Sequence, residues 1–413
     1  MRFLLAHNTY QQAGGEDAVV TAESSLLMER GHEVIMYRRS NDELRGRGYF
    51  AAVTTGFETA WSSRSYREIS EVLRREKPDV AHFHNTFPLI SPAAYYACGR
   101  AGVPVVQTLH NYRLLCPAAT LFRDGSVCES CVGRSVPWRG VVHGCYRDSR
   151  VATAAVSAML AAHHALDTWN KKVDVYIALS EFARKKFIQG GLPAERVVVK
   201  QNFVHPAPSP KDGEGQYALF VGRLSEEKGL RVLLSAWSKL AATVPLQIAG
   251  DGPMLEEVVS EIARRQLQQV DSLGRVSPQD IFERFRGARF LVCPSEWFEG
   301  SPMTVLESFA CGLPVIASRL GALAEIVQDR RTGLHFNPGD PQDLAAKVEW
   351  AWTHPEEMRV MGHAARAEYE AKYTAEHNYK QLMSIYSRAI AERKKPEKLT
   401  HIRRTVSADH EAK

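Results

Sequence analysis

Two glutamates, Glu299 and Glu307, enclose the run Gly300-Ser301-Pro302-Met303-Thr304-Val305-Leu306. Ser301 has an N-cap side chain and Pro302 suits a first helical position, so the spacing predicts a helix starting here and ending at Gly312. The free N–H groups of such a helix start bind an anion without any charged side chain. Glu299 then lies in the loop before the helix and Glu307 lies roughly 7–8 Å along its axis. A nucleotide sugar has that layout, with hydroxyls on a hexose, a diphosphate, and hydroxyls on a ribose. The bland alternative is a capped helix with two surface glutamates. The cap, the proline and Gly300 weigh against it.

A second segment, Gly222-Arg223-Leu224-Ser225-Glu226-Glu227-Lys228-Gly229, follows the predicted strand Ala218–Val221. Arg223 offers a fork of donors and Lys228 a point charge, which together suit a diphosphate. Surface ion pairs from these cations to Glu226 and Glu227 are the competing reading. Gly14-Gly15 follows the first strand and permits close backbone approach to a ligand, although no G-x-G-x-x-G pattern is present. His110 ends the run Val105-Val106-Gln107-Thr108-Leu109-His110 and could meet a sugar hydroxyl over a cleft. His82 and His84 lie two apart on one strand face. They read as strand and cleft-rim residues, because no third metal ligand is near in sequence.

The elements that must position these groups alternate between strand and helix. Strands are predicted at Arg2–Asn8, Glu33–Tyr37, Val80–His84, Val103–His110 and Val173–Leu179, with helices around Tyr66–Arg75 and Pro92–Gly99. Residues 203–216 hold three prolines and two glycines and read as a linker. The alternation restarts with strands at Ala218–Val221, Leu246–Ala249, Phe290–Cys293 and Val315–Ala317. Such a pattern implies α/β domains with parallel sheets, which bind ligands at the carboxyl ends of their strands. The expected division is 1–202, the linker, 217–375, a terminal helix 376–391, and a basic, disordered tail 392–413.

The chain has 413 residues and a net charge of +5, enough for an anionic ligand or surface but too little to argue for nucleic acid. No apolar run reaches the ~18 residues of a membrane span and no signal peptide is visible, so a cytoplasmic location is expected.

These motifs resemble the retaining glycosyltransferases of family 4, which have the GT-B architecture of two Rossmann-like domains facing a cleft. Glu299-x7-Glu307 matches that family's E-x7-E motif, and Gly222-Arg223-Leu224 with Lys228-Gly229 its phosphate clamp. Gly14-Gly15, His110, Gly250-Asp251-Gly252-Pro253, and Gly321 with Glu325 also look like family segments. The resemblance implies a nucleotide-sugar donor, UDP- or GDP-linked, and an acceptor on a lipid-linked or growing cell-surface glycan. Peripheral contact with the inner face of the membrane would follow. It implies that Arg223 and Lys228 hold the diphosphate, Glu307 the ribose, and Glu299 with the backbone of Gly300–Thr304 the hexose. His110 would touch that hexose from the other domain, and no metal is required for catalysis. A GT-B epimerase or a non-catalytic nucleotide-sugar-binding assembly protein are the rival functions.

The departure from the family pattern is the insertion 111–150. It holds Cys116, Cys128, Cys131 and Cys145 in a C-x11-C-x2-C-x13-C spacing. Four thiolates can surround a structural zinc, and the Asp124-Gly125 turn signal could fold the segment back as a hairpin. His143 could replace one thiolate. Free thiols and a disulfide pair are the alternatives. The arginines Arg45, Arg47, Arg64, Arg67, Arg134 and Arg139 are expected on the acceptor side, where they could meet an anionic bilayer.

Overall fold

A computed structural model describes residues 1–10, 14–44, 57–241 and 244–394. The strands in chain order are β1 (Arg2–Thr9), β2 (Glu33–Ser40), β3 (Val80–Asn85), β4 (Val105–Leu109), β5 (Phe122–Arg123), β6 (Ser126–Val127), β7 (Val175–Ala178) and β8 (Val197–Val199). They continue with β9 (Tyr217–Val221), β10 (Leu246–Ala249), β11 (Val270–Gly274), β12 (Ala288–Cys293), β13 (Val315–Ser318) and β14 (Gly333–Phe336). Two six-stranded sheets result, in orders β2-β1-β3-β4-β7-β8 and β11-β10-β9-β12-β13-β14. Pairing within both is parallel.

Strand order reverses between β1 and β3 in the first sheet and between β9 and β12 in the second. Chain leaving the carboxyl ends of those strands diverges to opposite faces and opens a crevice there. The loops after β1, β9 and β12 carry Gly14-Gly15, Gly222–Gly229 and Glu299. Topology therefore places every principal motif at a switch point.

Central strands such as β3 are buried along their whole length, as expected for a parallel sheet covered on both faces. Serine caps fix several helix starts. Ser62, Ser149 and Ser180 accept from the N–H groups of Ser65, Ala152 and Ala183 at 3.1–3.2 Å. β8, β11 and β14 were not anticipated from sequence. β8 has three residues and β11, Val-Asp-Ser-Leu-Gly, lacks an apolar run. His110 lies one residue beyond β4.

The last helix, Ala375–Lys394, starts one residue before and ends three residues after the expected 376–391. It crosses back from the second domain and packs on the first sheet. Leu382, Ile385, Tyr386 and Ala389 join Phe3, Leu5, Val80, Val106, Val175 and Ile177 in one buried cluster. The basic tail beyond Lys394 lies outside the described residues. Burial of this helix face gives a direct expectation. Leu382→Ala, at a fully buried position, should cost about 3 kcal/mol. Urea denaturation should show a lowered midpoint, and an unchanged midpoint would mean that the helix does not dock on the sheet.

Candidate active site

The second domain supplies a buried ion pair. Lys228 Nζ lies 2.7 Å from Glu299 Oε1, and the side chains are 21% and 5% exposed. Ser295 Oγ donates to the same carboxylate oxygen at 2.7 Å, and Lys228 lies over the Trp297 ring at 5.3 Å. Burial opposes the charge on Glu299, but Lys228 and the hydrogen bond from Ser295 outweigh it and hold the carboxyl below its ordinary value. Burial likewise opposes the ammonium of Lys228, and Glu299 again prevails, raising it. Both groups are thus held charged. The Lys228 partner is Glu299, not the neighbouring Glu226 or Glu227: Glu226 pairs with Arg231 at 3.3 Å and Glu227 accepts from Ser225 Oγ at 2.6 Å.

Local chain geometry explains how the two loops meet. Gly229 has φ +71°, and a Cβ there would stand 2.0 Å from the carbonyl oxygen of Pro294. Only glycine satisfies both demands, so the Lys228 loop can lie directly against the loop after β12. The backbone N–H of Glu296 also donates to the Glu227 carbonyl at 2.9 Å.

The helix after Glu299 runs from Met303 to Ala310 with Pro302 at the N-cap and no side chain capping it. The expected cap by Ser301 is not made. Ser301 sits one residue outside the helix, and its buried hydroxyl has no hydrogen-bond partner. Since Pro302 takes the cap position with extended backbone, the hydroxyl cannot reach the first free amides. Those amides stay available to a ligand. Glu307, the fifth helical residue, is half-buried and surrounded by protein. Burial alone raises its carboxyl to about 7, and no hydrogen bond or ion pair reaches that carboxylate among the described residues. Arg223 is exposed beside this crevice and forms no ion pair among the described residues.

The first domain supplies histidines. His82 and His84 are fully buried, not rim residues as their sequence position suggested. His84 Nδ1 lies 3.0 Å from His110 Nε2, and burial holds both rings neutral, with His110 lowered to about 3. His84 Nε2 faces Glu23 Oε2 at 3.5 Å, and the other oxygen of Glu23 bonds to Lys200 Nζ at 2.5 Å. A carboxylate facing Nε2 favours the proton on that nitrogen. Nδ1 of His84 then accepts, Nε2–H of His110 donates, and Nδ1 of His110 keeps a free lone pair. This tautomer is assigned from the network. Glu23, His82 and His84 bring metal-ligating atoms within 4.8 Å of one another. The ammonium of Lys200 against Glu23 occupies that position with a positive charge and disfavours a cation there.

Sequence reasoning missed His7, Tyr10, Glu16 and Asp17 around the Gly14 turn. Asp17 accepts from His7 Nε2 at 2.9 Å and from the Gly14 N–H at 2.8 Å. Burial, with the Asp17 charge adding, raises Glu16 to about 8, and Tyr10 OH lies 3.3 Å from it. Their clustering depends on the fold of the β1–helix turn, and polar residues near a glycine pair were the only signal.

The two halves close on one another. The helix Gly15–Glu29 also starts without a side-chain cap hydrogen bond. A Cβ on Gly15 would lie 3.4 Å from Met303 Cγ, so the two helix starts face each other. A Cβ on Gly300 would lie 3.2 Å from the His110 carbonyl oxygen. Glu325 reaches across to accept from the N–H groups of Glu181 and Phe182 at 3.0 and 2.9 Å, capping a helix of the other domain. Phe182 and Phe298 pack beside it with centroids 4.6 Å apart.

Profiles of two families match the chain. "Glycosyltransferase Family 4" matches residues 13–207 and "Glycosyl transferases group 1" matches 202–368. Together the two profiles span residues 13–368, and the chain belongs to the glycosyltransferases they describe. An uncharacterized glycosyltransferase of Methanocaldococcus jannaschii is 30% identical over 44% of this chain and 50% of its own length. The chain spans about half the length of the first curated relatives it matches. The N-acetyl-alpha-D-glucosaminyl L-malate synthase of Bacillus anthracis is 23% identical over 94% of this chain and 97% of its own. Anabaena HepE, solved with UDP-glucose, shares the fold with a TM-score of 0.66 at 17% identity, covering 93% of this chain and 99% of that one.

A groove of about 550 Å³ lies elsewhere on this glycosyltransferase, lined by Val136, Trp138, Val142, Arg150, Ala154 and Ala158. The two domains touch at Gly15, Gly300 and Glu325. Of the expected surface arginines, Arg64 is tied to Glu68 and Glu43 at 2.8 and 3.3 Å, Arg67 bonds the Ser63 carbonyl, and Arg134 bonds the Ser130 carbonyl. Arg45 and Arg47 lie outside the described residues.

Removing one member of a buried pair strands its partner's charge. Lys228→Met should therefore destabilise this glycosyltransferase by about 3 kcal/mol, and adding Glu299→Gln should recover most of that loss. Equal destabilisation by the single and double variants in urea would show that the two groups are not coupled.

Proposed function

We propose that this chain is a retaining hexosyltransferase. Its donor is a UDP- or GDP-linked sugar and its acceptor a hydroxyl of a lipid-linked or growing cell-surface glycan. The observation that carries the reading is an uncapped helix start between two carboxylates of opposite standing. Glu299 is held ionised by Lys228, while Glu307 has no partner among the described residues. A ribose whose hydroxyls donate to Glu307 would satisfy it, with the diphosphate over the Met303 and Thr304 amides and the hexose toward Glu299. The UDP-glucose complex of the structurally similar HepE supports this donor class.

In the reaction, the bond from the anomeric carbon to the diphosphate oxygen breaks and a bond to the acceptor oxygen forms on the same face. The acceptor proton passes to the departing phosphate. Charge builds on that phosphate, and Arg223, Lys228 and the helix start would offset it. These cationic groups supply the role that a divalent metal plays elsewhere, so metal-independent turnover is part of the reading. A covalent route through Glu299 is disfavoured because Lys228 and Ser295 stabilise its charge through Oε1 and so weaken it as a nucleophile. His110, through the free Nδ1 lone pair, would accept from a hexose hydroxyl, and Gly14 and Gly15 would let the opposing backbone approach the donor.

Calorimetry with UDP-glucose and GDP-mannose tests this. Arg223→Ala should weaken whichever donor binds by about 1.5–3 kcal/mol. Unchanged affinity would remove Arg223 from the site. Glu307 adds a pH signature. Above about pH 7 it is an ionised acceptor and below it a neutral acid. Donor affinity should rise about fivefold between about pH 6 and pH 8, since a charge-assisted hydrogen bond exceeds a neutral one by about 1 kcal/mol. Glu307→Gln should flatten that rise; a rise that persists in this variant would mean another group titrates.

The lipid-linked acceptor is supported by the groove at Trp138. Val136, Trp138 and Val142 are about half exposed, and Arg139 and Arg150 flank them. An apolar tip ringed by arginines suits an anionic bilayer. Full-length protein should float with phosphatidylglycerol vesicles at low salt, and Trp138→Ser should reduce the floated fraction. No flotation at low salt would leave a soluble glycan as the acceptor.

A further inference from the structure

The insertion 111–150 brings four cysteines together that the donor site does not use. All four are free thiols. Asp124 and Gly125, with φ +53° and +71°, form a two-residue loop between β5 and β6. That hairpin returns the chain so that the Cys128 N–H donates to the Leu121 carbonyl at 2.7 Å. Cys116 closes its own turn, donating to Tyr112 and accepting from Ala119, both at 2.9 Å. The next residue, Pro117, lies 3.0 Å from where a Cβ of Gly140 would stand. Gly140 in turn accepts from the Cys145 N–H at 3.1 Å and donates to the Pro137 carbonyl, which is 3.9 Å from Cys131 Sγ. The four cysteine-bearing strands of chain thus converge around Pro117, Pro137 and Gly140.

The Gly140 N–H and the Arg123 guanidinium lie near the Cys131 and Cys145 sulfurs, although each also has an oxygen partner, the Pro137 carbonyl and Asp124. Such donors hold and tune metal-bound sulfur. Glu129, inside the C-x2-C loop, is taken by Lys186 at 2.7 Å and does not compete. His143 is exposed and stands apart, so a histidine substitution for one thiolate is not favoured. Between Tyr112 and Pro137 the chain has only two strands of two residues each, among the described elements. It has little regular structure to hold it.

We propose that Cys116, Cys128, Cys131 and Cys145 bind one zinc ion as four thiolates, and that this ion fixes the segment presenting Trp138. On binding, each thiol releases its proton to solvent; four protons leave and no electrons move. Arg123 offsets part of the double negative charge of the tetrathiolate. Tetrahedral zinc sets sulfurs about 3.8 Å apart. No three of the sulfurs reach mutual distances within 4.8 Å, so the ion draws at least one pair in any three closer by at least about 1 Å. The C-x2-C loop and the hairpin are the parts able to give.

The test uses full-length protein made without a polyhistidine tag in zinc-supplemented medium. Elemental analysis should find one zinc per chain, with the four thiols unreactive until a mercurial releases the metal. Cobalt exchanged into the protein should give thiolate-to-metal charge-transfer absorption. Cys128→Ser/Cys131→Ser should lose the ion. Less than about a tenth of a zinc per chain, with four thiols titrating freely in the native state, overturns the proposal. So does full zinc retention in the double variant. If that variant fails to fold, metal content and cobalt spectrum of the parent chain decide alone.

Discussion

Everything in the second domain's half of the crevice depends on one buried contact, Lys228 to Glu299. The two residues come from loops that leave adjacent strands, β9 and β12, in opposite directions. The ion pair ties those loops at the point where the sheet reverses. Its cost is the desolvation of two charges, and the low dielectric around it is also what makes each charge effective. Ser295 and Trp297 complete the shell around Glu299. With Gly229 against Pro294, the loops cannot drift apart, and the helix start at Met303 is held at a fixed distance from Lys228. A surface ion pair between the same residues would have been worth little and would have positioned nothing.

The first domain answers with neutral groups. Four histidines, His7, His82, His84 and His110, lie under its switch point, and burial keeps His82, His84 and His110 uncharged. Glu23 and Lys200 bring charge into that layer and neutralise one another, and Asp17 sets a carboxylate against His7. The division has a physical sense. A departing diphosphate needs positive potential on its own side, whereas a sugar ring needs hydrogen-bond geometry without a net field. Lys200 follows β8 and Glu23 lies on the first helix, so their contact also ties the far edge of the sheet to its centre.

Much of this was legible in the sequence because the chemistry lies in short windows. Glu299-x7-Glu307 and Gly222–Gly229 carry their meaning within nine residues, and the strands before them are apolar runs. The fold class followed from alternation alone. Other features were not legible. Glu23, His84 and Lys200 are far apart in the chain, and no local pattern links them. Ser301 failed as a cap because Pro302 took that position, a one-residue shift that propensity cannot resolve. The return of the last helix onto the first sheet was hidden as well, since its apolar stripe does not say which sheet it covers. Glu307 was assigned by spacing, but its lack of any partner among the described residues could be seen only in three dimensions.

Closure follows from how the domains meet. The contacts between them are of different kinds: Gly300 against a carbonyl, Gly15 against Met303, Phe298 in the first domain's apolar cluster beside Phe182, and Glu325 on a helix start. Parting them exposes the apolar surface of Phe298 and Phe182. The last helix is different, because it buries a continuous apolar face on the first sheet and stays put. A donor must enter between two helix starts that already face each other. The other contacts must therefore part while the helix Ala375–Lys394 and the residues after β8 keep the halves joined. Glu325 is the contact best suited to reseal the crevice afterwards. Its two hydrogen bonds satisfy amides that would otherwise face water, so opening exchanges them for water at little net cost. The site can then open for a donor without giving up the geometry set by Lys228 and Glu299.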